Sequence, residues 1–174
     1  MSLAFRTSHL APNNNNNNNN DNDALVTHPV TVLSNNHALS VGLQVKSDVR
    51  LSDYLSNNRT IIRAEFADSV AGSLNLNKVE AIIDGWPVHS DRRMIIEKGT
   101  VSIRVRFASG LTVWGRLHVF EPSNWLNEFD FTNRGQGLFA VLTGAGARWD
   151  DDETQGATVL VNFDRALGVE LFEQ

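Results

Sequence analysis

The stretch Thr100-Val-Ser-Ile-Arg-Val-Arg-Phe-Ala-Ser-Gly-Leu-Thr-Val-Trp-Gly-Arg-Leu-His-Val-Phe120 alternates apolar and polar residues almost without a break. Val101, Ile103, Val105 and Phe107 alternate with Ser102, Arg104 and Arg106, the period of two that a strand with one buried face requires. Ala108-Ser-Gly110 is a turn, after which Leu111, Val113, Gly115, Leu117 and Val119 resume the alternation, so residues 100–120 predict a β-hairpin. Arg104, Arg106 and Arg116 fall on its polar face, and Trp114 falls out of phase with Val113.

Moving outward, the same spacing recurs 74 positions earlier. Leu39, Leu43 and Val45 fall on Val113, Leu117 and Val119. Arg50-Leu-Ser-Asp-Tyr-Leu55 then falls on Asn124-Trp-Leu-Asn-Glu-Phe129. Leu51 and Leu55 answer Trp125 and Phe129 at the spacing of one helical turn, with Ser52 or Ser123 available as a cap. Ile61–Phe66 matches residues 137–142 as a candidate central strand, and Asn77-Lys-Val-Glu-Ala-Ile82 matches Asn162-Phe-Asp-Arg-Ala-Leu167. Four blocks in one order predict an internal duplication. Each copy has two strands, a one-turn helix, a third strand and a final strand pair. Copy two is longer between its third strand and its Asn block, where Trp149, Asp150, Asp151, Asp152 and Glu153 predict an exposed acidic loop.

The predicted organisation is an Asn-rich disordered tail over 1–26, a first β unit over 27–86, a connector over 87–99 and a second β unit over 100–174. Asn13 to Asn20 form an unbroken polar run with nothing to bury. Met94-Ile-Ile96 in the connector reads as a strand or packed crossover. A unit of 60 to 70 residues made of short strands must hide its sheet edges. The expected fold class is therefore all-β, as two tandem duplicated small SH3/Sm-like barrels with short one-turn helices. One fused β-sandwich is the alternative.

The Arg50-Leu-Ser-Asp-Tyr-Leu55 block, followed by a strand and the Asn77 block, resembles a group of small bacterial proteins of no assigned activity. Those carry an R-L-S-D-[YF]-L-N block and a later N-[RK]-x-x-I block. Ser56 stands where that group has Asn, and copy two keeps Asn127, Asn162 and the apolar skeleton. The resemblance spans roughly 40 residues and implies fold more than function.

Composition narrows the function. With 41% hydrophobic and 20% charged residues, the chain has the apolar content of a folded protein rather than a wholly disordered one. It has no cysteine, which excludes disulfides, thiolate nucleophiles and sulfur-ligated zinc. No run approaches the roughly 18 apolar residues of a membrane span, and no secretory leader is evident, so a cytoplasmic protein without membrane partners is expected.

The net charge is −5, unevenly spread. Residues 46–120 hold eleven Lys/Arg against eight Asp/Glu, for +3, whereas residues 121–174 hold three against ten, for −7. The acidic total disfavours nucleic acid, whose phosphates demand many cationic contacts. The asymmetry suits head-to-tail orientation of copies, against the simpler reading of solvated charge plus one acidic loop.

Catalytic and metal-binding patterns are absent from the sequence. His9, His28, His37, His89 and His118 show no ligand spacing, and the acidic run lacks the alternation of an EF-hand. Ser52 has no nucleophile elbow. Gly135-Gln-Gly137 and Thr143-Gly-Ala-Gly-Ala147 lack the Lys and Ser/Thr of a phosphate loop and read as turns or close strand packing. No cofactor and no catalytic residue is predicted.

What remains is a basic row comprising Arg92, Arg93, Lys98, Arg104, Arg106 and Arg116, with Trp114 as an exposed interface anchor. Pairing with acids such as Glu97 or Glu121 would neutralise the row. The expected function is a non-enzymatic interaction or assembly module with a protein partner or a second copy of itself. Binding of nucleic acid or an anionic ligand through Arg104, Arg106, Arg116 and Trp114 is the alternative.

Overall fold

A computed structural model describes residues 24–57, 60–85, 99–126 and 138–172. The Asn run, Trp86, Arg92, Arg93, Met94–Ile96, Glu97, Lys98, Asn127, Phe129 and Gly135–Gly137 lie outside the described residues. The protein is all-β. The described residues form ten strands, β1 (Leu25–Ser34), β2 (His37–Lys46), β3 (Ile61–Phe66), β4 (Val70–Asn75), β5 (Ala81–Asp84), β6 (Gly99–Phe107), β7 (Thr112–Val119), β8 (Phe139–Trp149), β9 (Asp152–Asn162) and β10 (Ala166–Leu171). Helix α1 (Leu51–Asn57) joins β2 to β3. Leu25 and Val26 pair with Lys46 and Val45, so β1 starts two residues inside the expected tail.

The local chemistry explains the elements. β1 and β2 join through Asn35 and Asn36 at φ 49° and 62°, left-handed positions that Asn tolerates and that match the twist of a two-residue hairpin. In α1, Leu51 and Leu55 are buried one turn apart, and Asp53 in the first turn complements the helix dipole. Ser52 lies inside this helix rather than capping it, its carbonyl accepting Ser56 Oγ at 2.7 Å. Ser123 likewise lies inside a short 3-10 turn, Pro122–Asn124.

All ten strands form one antiparallel sheet in the order β10-β6-β7-β8-β9-β5-β1-β2-β3-β4. The expected pair of separate closed barrels is not what forms, and among the described residues there are not two packed sheets but one open sheet. The physical reason is the pairing of β9 with β5, Ala81 opposite Val161, Ile82 opposite Leu160 and Ile83 opposite Val159. Each half hides one edge against the other half, which removes those edges as effectively as closure would.

Two hydrophobic clusters follow from this splice. One gathers Ile103, Val105, Val113, Leu117, Trp125, Leu142 and Phe163, together with Ala81, Val159 and Val161. The other gathers Val41, Leu43, Val45, Leu51, Leu55, Ile62 and Leu76, together with Ile82 and Leu160. Because neighbouring residues of β9 and β5 serve different clusters, both faces of the sheet are buried at the joint.

Element order also repeats: a hairpin, a helical turn, a second hairpin, a 3-10 turn and a last strand, first over β1–β5 and then over β6–β10. Within that repeat the sequence alignment needs two corrections. Asn75 and Asn162, not Asn77 and Asn162, occupy the same place. Each ends a fourth strand and caps a 3-10 turn (Leu76–Lys78 and Phe163–Arg165), with its side chain accepting from the backbone N–H two residues on. Leu39, matched to buried Val113, is instead 44% exposed. The added length of copy two is strand rather than loop. β8 and β9 have 11 residues each against 6 in β3 and β4, and Asp150-Asp151 form a tight turn at their tip. Asp150 N donates to Asn36 Oδ1 at 3.0 Å, seating that tip against the β1–β2 turn.

Candidate functional site

Among the described residues, a groove on the second half of the sheet and the two outer strands are candidate functional surfaces.

The groove, about 370 Å³, is lined by Arg104 and Arg106 on β6, Thr112 and Trp114 on β7, Arg148 on β8, Glu153 on β9, and Phe172. Register explains the assembly. Arg106 lies opposite Thr112, Thr112 opposite Arg148 and Arg148 opposite Glu153, one row across four strands. Arg104 lies opposite Trp114 and Trp114 opposite Gly146 in the next row. Trp114 is half-buried because its indole lies on Gly146. A Cβ there would sit 2.5 Å from the ring, so the glycine is what admits the tryptophan. Gly144, at φ +52°, sits at a register shift in β8. The glycines of Thr143-Gly-Ala-Gly-Ala147 thus serve strand packing.

Two of the groove arginines, Arg104 and Arg106, are engaged within the protein. Glu170 on β10 accepts from Arg106 Nη2 at 2.8 Å and Nε at 3.3 Å, and from Arg104 Nη1 at 3.2 Å. The Arg104 guanidinium stacks over Phe172, 4.2 Å from the ring centre. Hydrogen bonding from Arg106 holds the Glu170 carboxyl below the usual carboxylate range, with the positive charges of Arg106 and Arg104 acting in the same direction. Burial pushes the Tyr54 hydroxyl on α1 up.

Of the four residues singled out in the sequence, the structure brings Arg104, Arg106 and Trp114 together. Arg116 stands apart, opposite Ser102 with its guanidinium beside Gly144. Glu170 is the acid that pairs with Arg104 and Arg106. Sequence reasoning missed Glu170, Phe172 and Arg148, because their neighbours come from pairings such as β10 with β6, for which alternation gives no signal.

Polar groups also mark the joint between the halves. Asn162 is buried; its Nδ2 donates to Val79 O at 3.0 Å and Leu76 O at 3.4 Å, while its own N–H donates to Glu80 O at 2.9 Å. Glu80, also buried, accepts from Asn35 N at 3.0 Å and Ser109 Oγ at 2.9 Å, tying together the first turn of each half. Buried His28 pairs with Asp84 at 2.7 Å between β1 and β5. No group of three or more His, Asp or Glu side chains suited to a metal converges among the described residues. In the same residues no helix is long and apolar enough to cross a membrane.

The outer strands end the sheet. β4 pairs with β3 and β10 with β6, and each has one side unpaired among the described strands. Large apolar side chains stand exposed on both: Val70 at 58% on β4, and Leu167 at 74% and Leu171 at 62% on β10. No protein-family model, curated protein or solved structure matches this chain.

Proposed function

We propose that this protein is a non-enzymatic assembly module, built from two copies of one SH3/Sm-like strand arrangement spliced edge to edge, that associates through the outer strands of its sheet. The likeness concerns strand order within each half, not closed barrels. The observation that carries the reading is the pair of open edges bearing Val70, Leu167 and Leu171. An unpaired strand offers a row of N–H and C=O groups to another chain, and proteins that keep such a strand unused guard it with charge, proline or bulges. β4 (Val-Ala-Gly-Ser-Leu-Asn) has no charge and no proline, whereas β10 carries Glu170 and a register shift between Ala166 and Gly168, so the reading rests most on β4.

The alternative, capture of an anionic ligand or nucleic acid in the groove, draws on the closeness of Arg104, Arg106 and Arg148 to the aromatic faces of Trp114 and Phe172. It is the weaker reading. Glu170 already occupies two of the arginines, and with Glu153 it leaves three cationic groups against two anionic ones around the groove.

Light scattering after size exclusion, at two salt concentrations and with absorbance at 260 and 280 nm, separates the two. Assembly predicts a mass that rises with protein concentration and carries no nucleic acid. Material absorbing at 260 nm that high salt strips away would favour the groove.

A further inference from the structure

The joint inside the chain specifies how two chains would join. We infer that β4 of one copy pairs antiparallel with β10 of a second copy, in the register with which β9 pairs with β5. This rests on the assembly reading and names its partner as another copy of this chain.

The argument is one of equivalent edges. β9 is the fourth strand of the second half and β5 the fifth strand of the first, and they are already paired. β4 is the fourth strand of the first half and β10 the fifth of the second, and these two are the ends of the sheet. The turns that follow the fourth strands are alike in detail. Asn75 and Asn162 adopt φ/ψ of −88°/103° and −86°/99°, and accept from Asn77 N at 3.0 Å and Asp164 N at 3.2 Å. The residues after the turns, Val79 and Ala166, both donate back to the first residue of the turn.

Superposing Asn75 on Asn162 sets the register. Leu74, Ser73 and Gly72 replace Val161, Leu160 and Val159; Gly168, Val169 and Glu170 replace Ala81, Ile82 and Ile83. Between copies, Leu74 then faces Gly168, Ser73 faces Val169 and Gly72 faces Glu170. At the internal joint Asn162 Nδ2 donates to Leu76 O and Val79 O. The corresponding donor is Asn75 Nδ2, which has no acceptor among the described residues, and the corresponding acceptors are Phe163 O and Ala166 O of the second copy. The exposed Leu167 takes the place of buried Glu80, so apolar contact stands where the internal joint has a polar clamp. Such a contact is heterologous, leaving one free β4 and one free β10 at the ends of every open assembly.

The chain has no cysteine, so introduced thiols report the register directly. Residues facing each other on antiparallel strands have Cα atoms about 4.5–5.5 Å apart, within the span of a disulfide. Ser73→Cys chains are mixed with Val169→Cys chains of different mass under mild oxidation. The mixed disulfide dimer is expected in about tenfold excess over that from Ser73→Cys with Leu171→Cys, two residues out of register and beyond disulfide reach. Because Val169 packs partly on the core, the pair Leu74→Cys with Gly168→Cys provides an independent second reading, since a side chain at Gly168 meets nothing within 4 Å. Equal yields in and out of register, or no disulfide dimer from either designed pair, would overturn the inference. Light scattering on the unaltered chain separates the two failures. Association without register-selective bridging sinks the inference and leaves the assembly reading standing. A chain that stays monomeric and bridges with neither pair sinks the inference and leaves assembly only through a different protein.

Discussion

The joint between β9 and β5 and the outer edges β4 and β10 are equivalent pairs of positions in the two halves, one filled and one open among the described residues. At the joint, Val159, Leu160 and Val161 meet Ala81, Ile82 and Ile83, and Asn162 and Glu80 are buried with their polar atoms bonded. At the edges the corresponding residues are Gly72, Ser73 and Leu74, and Gly168, Val169 and Glu170, with Leu167 in the place of Glu80. Backbone geometry is retained while apolar bulk is reduced. Burial of large aliphatic side chains contributes about 1.5–3 kcal/mol each, so the proposed contact between copies would be weaker than the internal joint.

The comparison is broken most severely at Leu160. Leu160→Ala removes a fully buried side chain from the joint and is expected to cost about 2–5 kcal/mol, read as a fall in the denaturation midpoint. Its edge counterpart, Ser73→Ala, is expected to leave that midpoint within about 0.5 kcal/mol, as surface substitutions usually do. Equal losses at the two positions would remove the distinction between joint and edge.

A second comparison sets Asn162→Ala against Asn75→Ala. The first strips the donor from buried Leu76 O and Val79 O and is expected to cost about 1–3 kcal/mol by chemical denaturation. Asn75→Ala removes a turn cap on an exposed surface, a loss nearer about 0.5–1 kcal/mol, and its larger effect is on association, seen as a reduced light-scattering mass at fixed concentration. Glu80→Ala falls between them in stability, because Asn35 N and Ser109 Oγ lose their shared acceptor. Glu80→Gln, which keeps an acceptor oxygen, should recover part of that loss.

The smallest effect is electrostatic. Glu170 is held below its ordinary value in the folded protein, chiefly by Arg106. Its contribution to stability is complete above the unfolded glutamate value and disappears as pH falls through the lowered native one. Melting curves across acidic pH should therefore show wild type and Glu170→Gln converging as pH drops. A gap that widens in acid would contradict the ion pair.

Much of this architecture was legible in short-range patterns and little of it in long-range ones. The alternation from Val101 to Val119 located β6 and β7, and the Leu51, Leu55 spacing located α1. The same alternation put Arg104, Arg106, Arg116 and Trp114 on one face, although Arg116 stands outside the groove that gathers the other three. The Asn blocks were found but misaligned by two residues, because the Asn75 and Asn77 positions both precede apolar residues at strand-like spacing and only the capped turn tells them apart. Arg148, Glu170 and Phe172 reach the groove through β8 and β10, and the β9–β5 joint turns two expected barrels into one sheet. Both depend on which edges meet, and a period of two is blind to that choice.

Hydrogen exchange of the unaltered chain at two widely separated protein concentrations tests the central claim most directly. If the outer strands join chains as β9 joins β5, outward-facing amides of β4 and β10 gain protection together as concentration rises, while those of β1, β2 and β7 do not change. Exchange at β4 and β10 that is independent of concentration, or protection of one edge without the other, would contradict it.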